Sequence, residues 1–475
     1  MTAPMRSSET RPLSRPRMWA VLVLILLADA IDVIDGTITN IAAPTIAHDL
    51  GGGEILITWL GPSYMLAMGV LLVVGGRLGD RFGQRRLFLI GMSGFTLASA
   101  VVGFALDPTV MILARVAQGA FGALLIPQGI AIMTTAFSRD MLATAFGLFG
   151  PVLGVASVAG PVLAGFIISA DLFGLSWRPI FLANIVLGVV GVFMALKLLP
   201  ADRDTDPAAV VVDGWGSGLL AVAMLGLLHG LIEGASAGWS ASAIGSLVVG
   251  GVFLVGFAHR QRTATHPLIT PTLLKNRGFT SGMVVALVAF AASAGLFLVL
   301  SLFLQAGLRA DPLEAALGLA PVTVGLVAAS FAAMGGLVTR LGRRLVLIGL
   351  TTSLAGCGWL LALLHHAGTG VSLWELAPSF FVIGIGTGLC FATIPTVALG
   401  DIAPEEAGSA GGSFGSIQQL ASAIGVAAMT SVFFGTADAG QGVAMKTALI
   451  AAMAATALSV PFVALLPRMT PVAHR

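Results

Sequence analysis

Residues 76–86 read Gly76-Arg77-Leu78-Gly79-Asp80-Arg81-Phe82-Gly83-Gln84-Arg85-Arg86, a short basic turn between two long apolar runs. Residues 335–344 read Gly335-Gly336-Leu337-Val338-Thr339-Arg340-Leu341-Gly342-Arg343-Arg344 in the same setting. At a constant offset of 259 the two stretches share a Gly, a Leu, an Arg, an apolar residue, a second Gly and a final Arg. Asp80 has Thr339 as its counterpart. Internal duplication on this scale is a mark of transporter folds, whose sites lie where the repeats meet.

The apolar runs continue along the whole chain. Only 10% of the 475 residues are charged and 57% are hydrophobic; a soluble protein carries about 25% charge. Mean hydropathy is +0.99. So few charges cannot cover a water-exposed surface, whereas lipid solvates apolar side chains directly. A soluble enzyme, a nucleic-acid binder and a disordered chain are excluded. The net charge of +2 identifies no partner, and the 61 glycines suit helices that pack closely in lipid. Cys357 and Cys390 both lie in apolar segments, which argues against a disulfide framework or a metal site.

A crossing helix needs about 20 apolar residues. Fourteen segments meet that need: 18–40, 55–76, 86–106, 109–133, 141–168, 179–199, 215–233, 241–259, 279–304, 314–337, 344–365, 373–399, 407–434 and 446–466. They are continuous and long, unlike the alternating strands of about 9–11 residues in a β-barrel. The predicted fold class is all-α integral membrane. Two repeats of six spans, with spans seven and eight inserted between them, account for the fourteen.

With an even number of spans both termini share a side. If that side is the cytoplasm, twenty of the 24 Lys and Arg are cytoplasmic, and only Arg178, Arg309 and Lys446 are outside. Arg115 falls within the fourth span. This satisfies the positive-inside rule. Residues 1–17, with Pro4, Pro12 and Pro16, read as a disordered cytoplasmic tail, with no convincing cleavage site in the apolar run that follows. The expected organisation is that tail, an N-terminal six-helix bundle over 18–199, the inserted pair over 200–260, a linker over 261–278, a C-terminal bundle over 279–467 and a tail over 468–475.

Five motifs now carry a resemblance. The loop at 76–86 is similar to the signature loop of the major facilitator superfamily. Asp35-Gly36-Thr37-Ile38-Thr39-Asn40-Ile41-Ala42-Ala43-Pro44 resembles the first-helix motif of its fourteen-helix drug:proton antiporters. Arg115-Val116-Ala117-Gln118-Gly119-Ala120-Phe121-Gly122-Ala123 resembles their fourth-helix motif. Gly147 through Gly160-Pro161-Val162-Leu163-Ala164-Gly165 resembles the fifth-helix antiporter motif. Trp177-Arg178-Pro179-Ile180-Phe181-Leu182-Ala183-Asn184 opens the sixth helix as in that family. Together they cover nearly the whole chain. Ala156 and Ala164 stand where the family has Gly, and Asp29 and Asp32 where it is usually apolar.

Asp29, Asp32 and Asp35 are the acids placed well inside a span. An ionisable group at that depth costs about 2.5–3.5 kcal/mol or more and marks a pathway by default. Three-residue spacing keeps them on one broad face over about 9 Å of axis. A buried carboxylate is a suitable proton carrier, neutral when loaded and ionised when released. The bland alternative is a hydrogen bond to a neighbouring helix. Arg115 must be paired or face water; the resemblance places it in the cavity of the N-terminal half, with Gln118 one turn away. It also implies that Gly76, Asp80, Arg81, Gly83, Arg85 and Arg86 latch the cytoplasmic side when the protein faces outward. The second latch, with Thr339, should be weaker. Gly147, Gly154, Gly160, Pro161 and Gly165 should let the fifth helix pack closely and bend. His229 and Glu233, one turn apart, read as a polar span end. Trp19, Trp177, Trp215, Trp239 and Trp374 read as interfacial anchors. Asp401, Glu405 and Glu406 read as a solvated loop, and Gln305, Gln418 and Gln419 as polar groups lining a cavity.

The resemblance implies export of hydrophobic small molecules or antibiotics in exchange for protons, by alternating access. The expected partners are the bilayer, protons and a hydrophobic small molecule of cationic character, and the chain is expected to act as a monomer in the bacterial cytoplasmic membrane. No ATP, haem or metal motif occurs, so no cofactor is expected and the proton gradient would supply the energy. Two other readings stay open: an uptake symporter on the same fold, and a membrane-embedded transferase, for which His365 and His366 lack an accompanying carboxylate cluster.

Overall fold

The computed structural model describes residues 14–202, 213–236, 239–402 and 406–467. The tail residues before 14 and after 467, together with Arg203 and Glu405, lie outside the described residues. The long helices, numbered in chain order, are α1 (Arg15–Asp49), α2 (Gly53–Phe82), α3 (Gln84–Gly103), α4 (Pro108–Ala136), α5 (Arg139–Ala170), α6 (Arg178–Leu198), α7 (Gly214–Ser236), α8 (Ala241–Thr263), α9 (Arg277–Leu302), α10 (Pro312–Ala332), α11 (Arg343–Ala367), α12 (Leu373–Leu399), α13 (Ala407–Phe434) and α14 (Gln441–Val463). Among the described residues, thirteen helices are long and apolar enough to cross a membrane. Helix α1 is the longest at 35 residues, and its apolar stretch is interrupted by the three carboxylates. It starts within the stretch expected to be a tail, because Pro16 in its first turn is pre-set for helical geometry.

Local chemistry sets the ends. Asp107 accepts hydrogen bonds from the backbone N–H of Thr109 (2.8 Å) and Val110 (3.0 Å), and Pro108 opens α4. Asp311 with Glu314, and Ser372 with Glu375, form capping boxes at the starts of α10 and α12. Helix α9 runs on through a π turn over Phe303–Gly307, and α10 through another over Ala333–Leu337. In the second, Gly336 adopts a φ of 110°, open to glycine at no steric cost.

Helices α1–α6 pack mainly on one another, as do α9–α14. The two groups meet where α2 packs on α13 and α5 on α10. Helix α7 lies against α2 and α13 and carries α8.

The ends of this assembly differ. Away from the repeated loops, one large apolar cluster joins Ile41, Leu60, Trp177 and Phe181 from the first group to Leu300, Phe303, Phe380 and Met445 from the second. At the basic end the clusters are separate: Leu22, Phe88 and Met133 belong to one, Val285, Val346 and Val463 to another. Helix α5 records the same divergence. A Cβ at Gly165 would sit 2.6 Å from the Pro312 carbonyl oxygen, and one at Gly154 would be 3.5 Å from Val327. At Gly147 it would meet nothing within 4 Å. The expectation that Gly147 packs closely is therefore corrected: α5 and α10 splay apart towards that end. Gly160 does allow close approach, with Ile34 backbone atoms 3.3–3.4 Å from the Cβ position. Since lipid is as apolar as a leucine side chain, such backbone-to-backbone fits rather than hydrophobic transfer hold the helices together.

Candidate functional site

Asp35 is fully buried in the middle of α1. Its carboxylate forms an ion pair with Arg115 of α4. It also accepts hydrogen bonds from Asn184 Nδ2 of α6 (2.9 Å) and, longer, from Gln118 Nε2 (3.4 Å). Arg115 Nη1 donates to Gln118 Oε1 (2.9 Å), Nη2 to Thr39 Oγ1 (3.2 Å) and Nε to the Leu60 carbonyl (3.3 Å). Gln118 Nε2 reaches Ser99 Oγ of α3 at 2.8 Å. Helices α1, α2, α3, α4 and α6 thus all contribute to one dry polar cluster. The guanidinium also lies over the Tyr64 ring, 4.5 Å from its centroid. A buried ion pair holds only when its remaining donors and acceptors are satisfied, and here they are.

Three expected residues, Asp35, Arg115 and Gln118, are therefore brought together. Asp32, one turn away, is buried and accepts a hydrogen bond from the Tyr64 hydroxyl. Asp29 is buried a further turn along and shares none of these bonds. Sequence reasoning missed Asn184, Tyr64, Ser99 and Thr39 as members of the site. Two signals were present: Asn184 is a lone amide in an apolar run, and Tyr64 is the chain's one tyrosine.

The signature loop is built differently. Gly83 ends α2 and begins α3 with a φ of 99°, where a side chain would be strained. The carboxylate at the α3 N-terminus belongs to Asp202, from the stretch after α6. It accepts from the backbone N–H of Arg85 (2.7 Å) and Arg86 (3.1 Å). Arg85 Nη2 donates to the Leu196 carbonyl (2.7 Å), and Arg81 lies 5.1 Å from the Phe82 ring. Asp80 is exposed, and Gly76 faces Pro127 at 3.7 Å. Arg77, not among the expected residues, donates to the carbonyls of Pro267 (2.9 Å) and Leu268 (3.3 Å) in the stretch after α8. Nearby, Asp213 pairs with Arg260 at 2.7 Å and accepts from the Gly216 N–H at the start of α7.

The other expected groups lie outside both of these sites. Trp177 is not an interfacial anchor: it is fully buried, its indole N–H donating to Asp49 at 3.0 Å. That bond satisfies the one polar atom of the ring, so it can leave the surface. Asp49 also pairs with Arg178 at 2.6 Å. Partial burial opposes its charge, but the donors from Arg178 and Trp177 outweigh it and hold the carboxyl below the usual carboxylate range. Trp19, Trp215, Trp239 and Trp374 are exposed. Gln305 donates across the groups, to the Ile41 carbonyl (3.3 Å) and to Ser301 (3.0 Å), while Ser301 donates to the Asn40 carbonyl (2.6 Å). Gln419 contacts Met68 Sδ at 2.8 Å, and Gln418 is half-buried. His229 lies 3.4 Å from Glu233. Glu406 accepts from Thr272, so it is not simply solvated; Asp401 is exposed. Among the described residues, no group of three or more His, Cys, Asp or Glu is placed to hold a metal ion.

An all-helical assembly of two packed groups, with a buried charged cluster in one of them, defines a multi-pass membrane transporter. The model of the Major Facilitator Superfamily matches residues 25–426, and the chain belongs to that family. It is 39% identical over 451 residues to the probable actinorhodin transporter of Streptomyces coelicolor, covering 93% of this chain and 78% of that protein. It is 34% identical to the puromycin resistance protein pur8 of Streptomyces alboniger (89% and 83% covered). To the multidrug resistance protein Stp of Mycobacterium tuberculosis it is 30% identical (84% and 73%). Among solved structures, a peptide transporter POT in complex with sulfate superposes with a TM-score of 0.67 at 15% identity, covering 98% of both chains. At that identity the likeness shows the fold alone.

Proposed function

We propose that this protein exports hydrophobic small molecules of the antibiotic class from the bacterial cytoplasm, driven by inward proton flow. The reading places fourteen spans in the membrane, α1 among them. It has an N-terminal bundle over 18–199, an inserted pair over 200–260, a linker over 261–278 and a C-terminal bundle over 279–467, with both termini cytoplasmic. The names of the relatives support the substrate class, and the basic loops support the orientation. On that orientation the apolar cluster that joins the two groups lies on the outer side, and the separate clusters lie on the cytoplasmic side.

The observation that carries the reading is the Asp35 cluster. A carboxylate beneath the outer apolar cluster is ringed by Arg115, Asn184 and Gln118, donors that suit its proton-released form. Turning outward exposes it to the acidic side. A proton arriving there cancels the charge that binds Arg115, and the freed guanidinium changes partners as the halves rock back. Asp32 and Asp29, less completely paired, give the site a preference for cationic solutes. The signature loop latches the cytoplasmic side in the outward-facing state, and close packing at Gly154, Gly160, Pro161 and Gly165 guides α5 between the two states.

The test is a proteoliposome assay with an imposed pH gradient and a panel of dyes and antibiotics. Movement of solute against the direction of proton flow is expected. Movement with the protons would make the protein an uptake symporter, and no pH-driven movement of any solute would overturn the reading.

A further inference from the structure

Tyr64 joins the two carboxylates that α1 places one turn apart. Its hydroxyl donates to Asp32 Oδ1, and its ring face carries the Arg115 guanidinium, which is itself paired with Asp35. The side chain is buried, with 2% exposure. Helix α4 leaves room for this contact: a Cβ at Gly122 would stand 3.0 Å from Asp32 Oδ1 and 3.3 Å from the Tyr64 hydroxyl. We infer that Asp32 and Tyr64 form a second proton-binding unit, in which Tyr64 is a positioning residue that ties the charge on Asp32 to the Arg115–Asp35 pair. This deepens the exporter reading and rests on it for the direction of transport.

The three carboxylates are graded in their donors. Asp35 has Arg115, Asn184 and Gln118. Asp32 has the Tyr64 hydroxyl, and Asp29 shares none of these donors. An ionised carboxylate only accepts hydrogen bonds; a protonated one also donates. A proton that reaches Asp32 from water lets the contact reverse. The acid O–H now donates, and the Tyr64 hydroxyl turns to accept. Because the same ring lies on Arg115, the change is felt by the guanidinium without any movement of Asp35. The charged and titratable groups around Asp32 are Asp29 and Asp35 on its own helix, Tyr64 from α2 and Arg115 from α4. The apolar stretches of α5 and α6 bring none.

Since Tyr64 is the one tyrosine of the chain, 3-fluorotyrosine labels this site alone. The full-length protein in detergent should give one fluorine resonance that shifts with pH. The shift should vanish in Asp32→Asn and persist in Asp35→Asn. A resonance that ignores pH in the unsubstituted protein, or titrates unchanged in Asp32→Asn, overturns the assignment. A second arm follows ethidium movement in proteoliposomes across a range of pH. Tyr64→Phe keeps the ring and removes the donor to the ionised form. Its profile should move up by about one pH unit, a tenfold change in proton affinity, a displacement that a merely structural role would not produce. An unmoved profile would remove Tyr64 from the positioning role. The fluorine measurement needs no transport, so failure of proton-driven ethidium movement would count against the exporter reading while the titration still judged the site.

Discussion

The two copies of the repeated loop turn alike and are held unlike. Gly83 and Gly342 each end one helix and start the next with positive φ, 99° and 49°. Arg85 and Arg343 each donate to backbone carbonyls near the end of the last helix in their own group, at Leu196 and at Ala464 and Leu466. The second copy stops there. The first adds Asp80, the Asp202 cap on α3 and the grip of Arg77 on the stretch after α8. The charges buried within the long helices follow the same division: among the described residues Asp29, Asp32, Asp35 and Arg115 lie in the first group, and the other buried charge, Asp213, precedes α7. The shared features are those needed to turn a helix pair at a membrane surface. The unshared ones are those that the proposed gate and proton site would require. The duplicated fold supplies the frame, and one half has been given the chemistry.

The largest test of that division is Asp35→Asn. Proton-driven efflux in proteoliposomes should fall by at least about 100-fold, with normal membrane yield, whereas Gln305→Leu in the second half should keep most of it. Equal losses would break the comparison. Next is Arg115→Ala, which leaves a buried carboxylate uncompensated; thermal unfolding in detergent should register about 3–5 kcal/mol of destabilisation, largely recovered in Asp35→Asn/Arg115→Ala. Asp80→Ala should slow turnover about tenfold while shifting substrate affinity less than about twofold. Thr339→Ala, at the matching place, should leave both unchanged, and a matching loss there would make the two loops equal gates. The smallest effect probes what the copies share. Gly83→Ala and Gly342→Ala should each cost about 1–3 kcal/mol in thermal unfolding, since both put a side chain at positive φ, and Gly83→Ala should cost the more because its Cβ would stand 2.3 Å from the Asp202 side chain that caps α3.

The sequence was most legible where physics acts over long stretches. Among the described residues, thirteen of the fourteen expected spans lie on helices long and apolar enough to cross a bilayer, and the first lies on α1, whose apolar run the three carboxylates interrupt. The pairing of Asp35 with Arg115 and Gln118 was within reach for a related reason: buried charges in lipid have few places to go. The partners that complete the site were harder. Asn184 and Tyr64 come from helices 149 and 32 residues away from their carboxylates in the chain, and no local pattern records which faces meet. Trp177 misled because its neighbours look like a span end, and only the tertiary contact with Asp49 explains its burial. Gly147 misled in another way. A glycine that suits close packing is needed in only some positions of a moving helix, and the present state leaves it open.

One feature of the first group reaches beyond chemistry. Three carboxylates and one guanidinium share the membrane-buried part of α1 and α4. With all of them ionised the net charge is −2; one bound proton makes it −1 and two make it zero. A charge that traverses the full membrane field gains or loses about 2.3 kcal/mol per 100 mV. On the exchange cycle proposed above, an interior-negative voltage would favour the outward turn of the proton-free, solute-carrying protein and act ever less on the protonated one that turns back. The carboxylate triplet would then add a voltage bias to the proposed proton drive, with the electrical part of the gradient acting on the solute-carrying step.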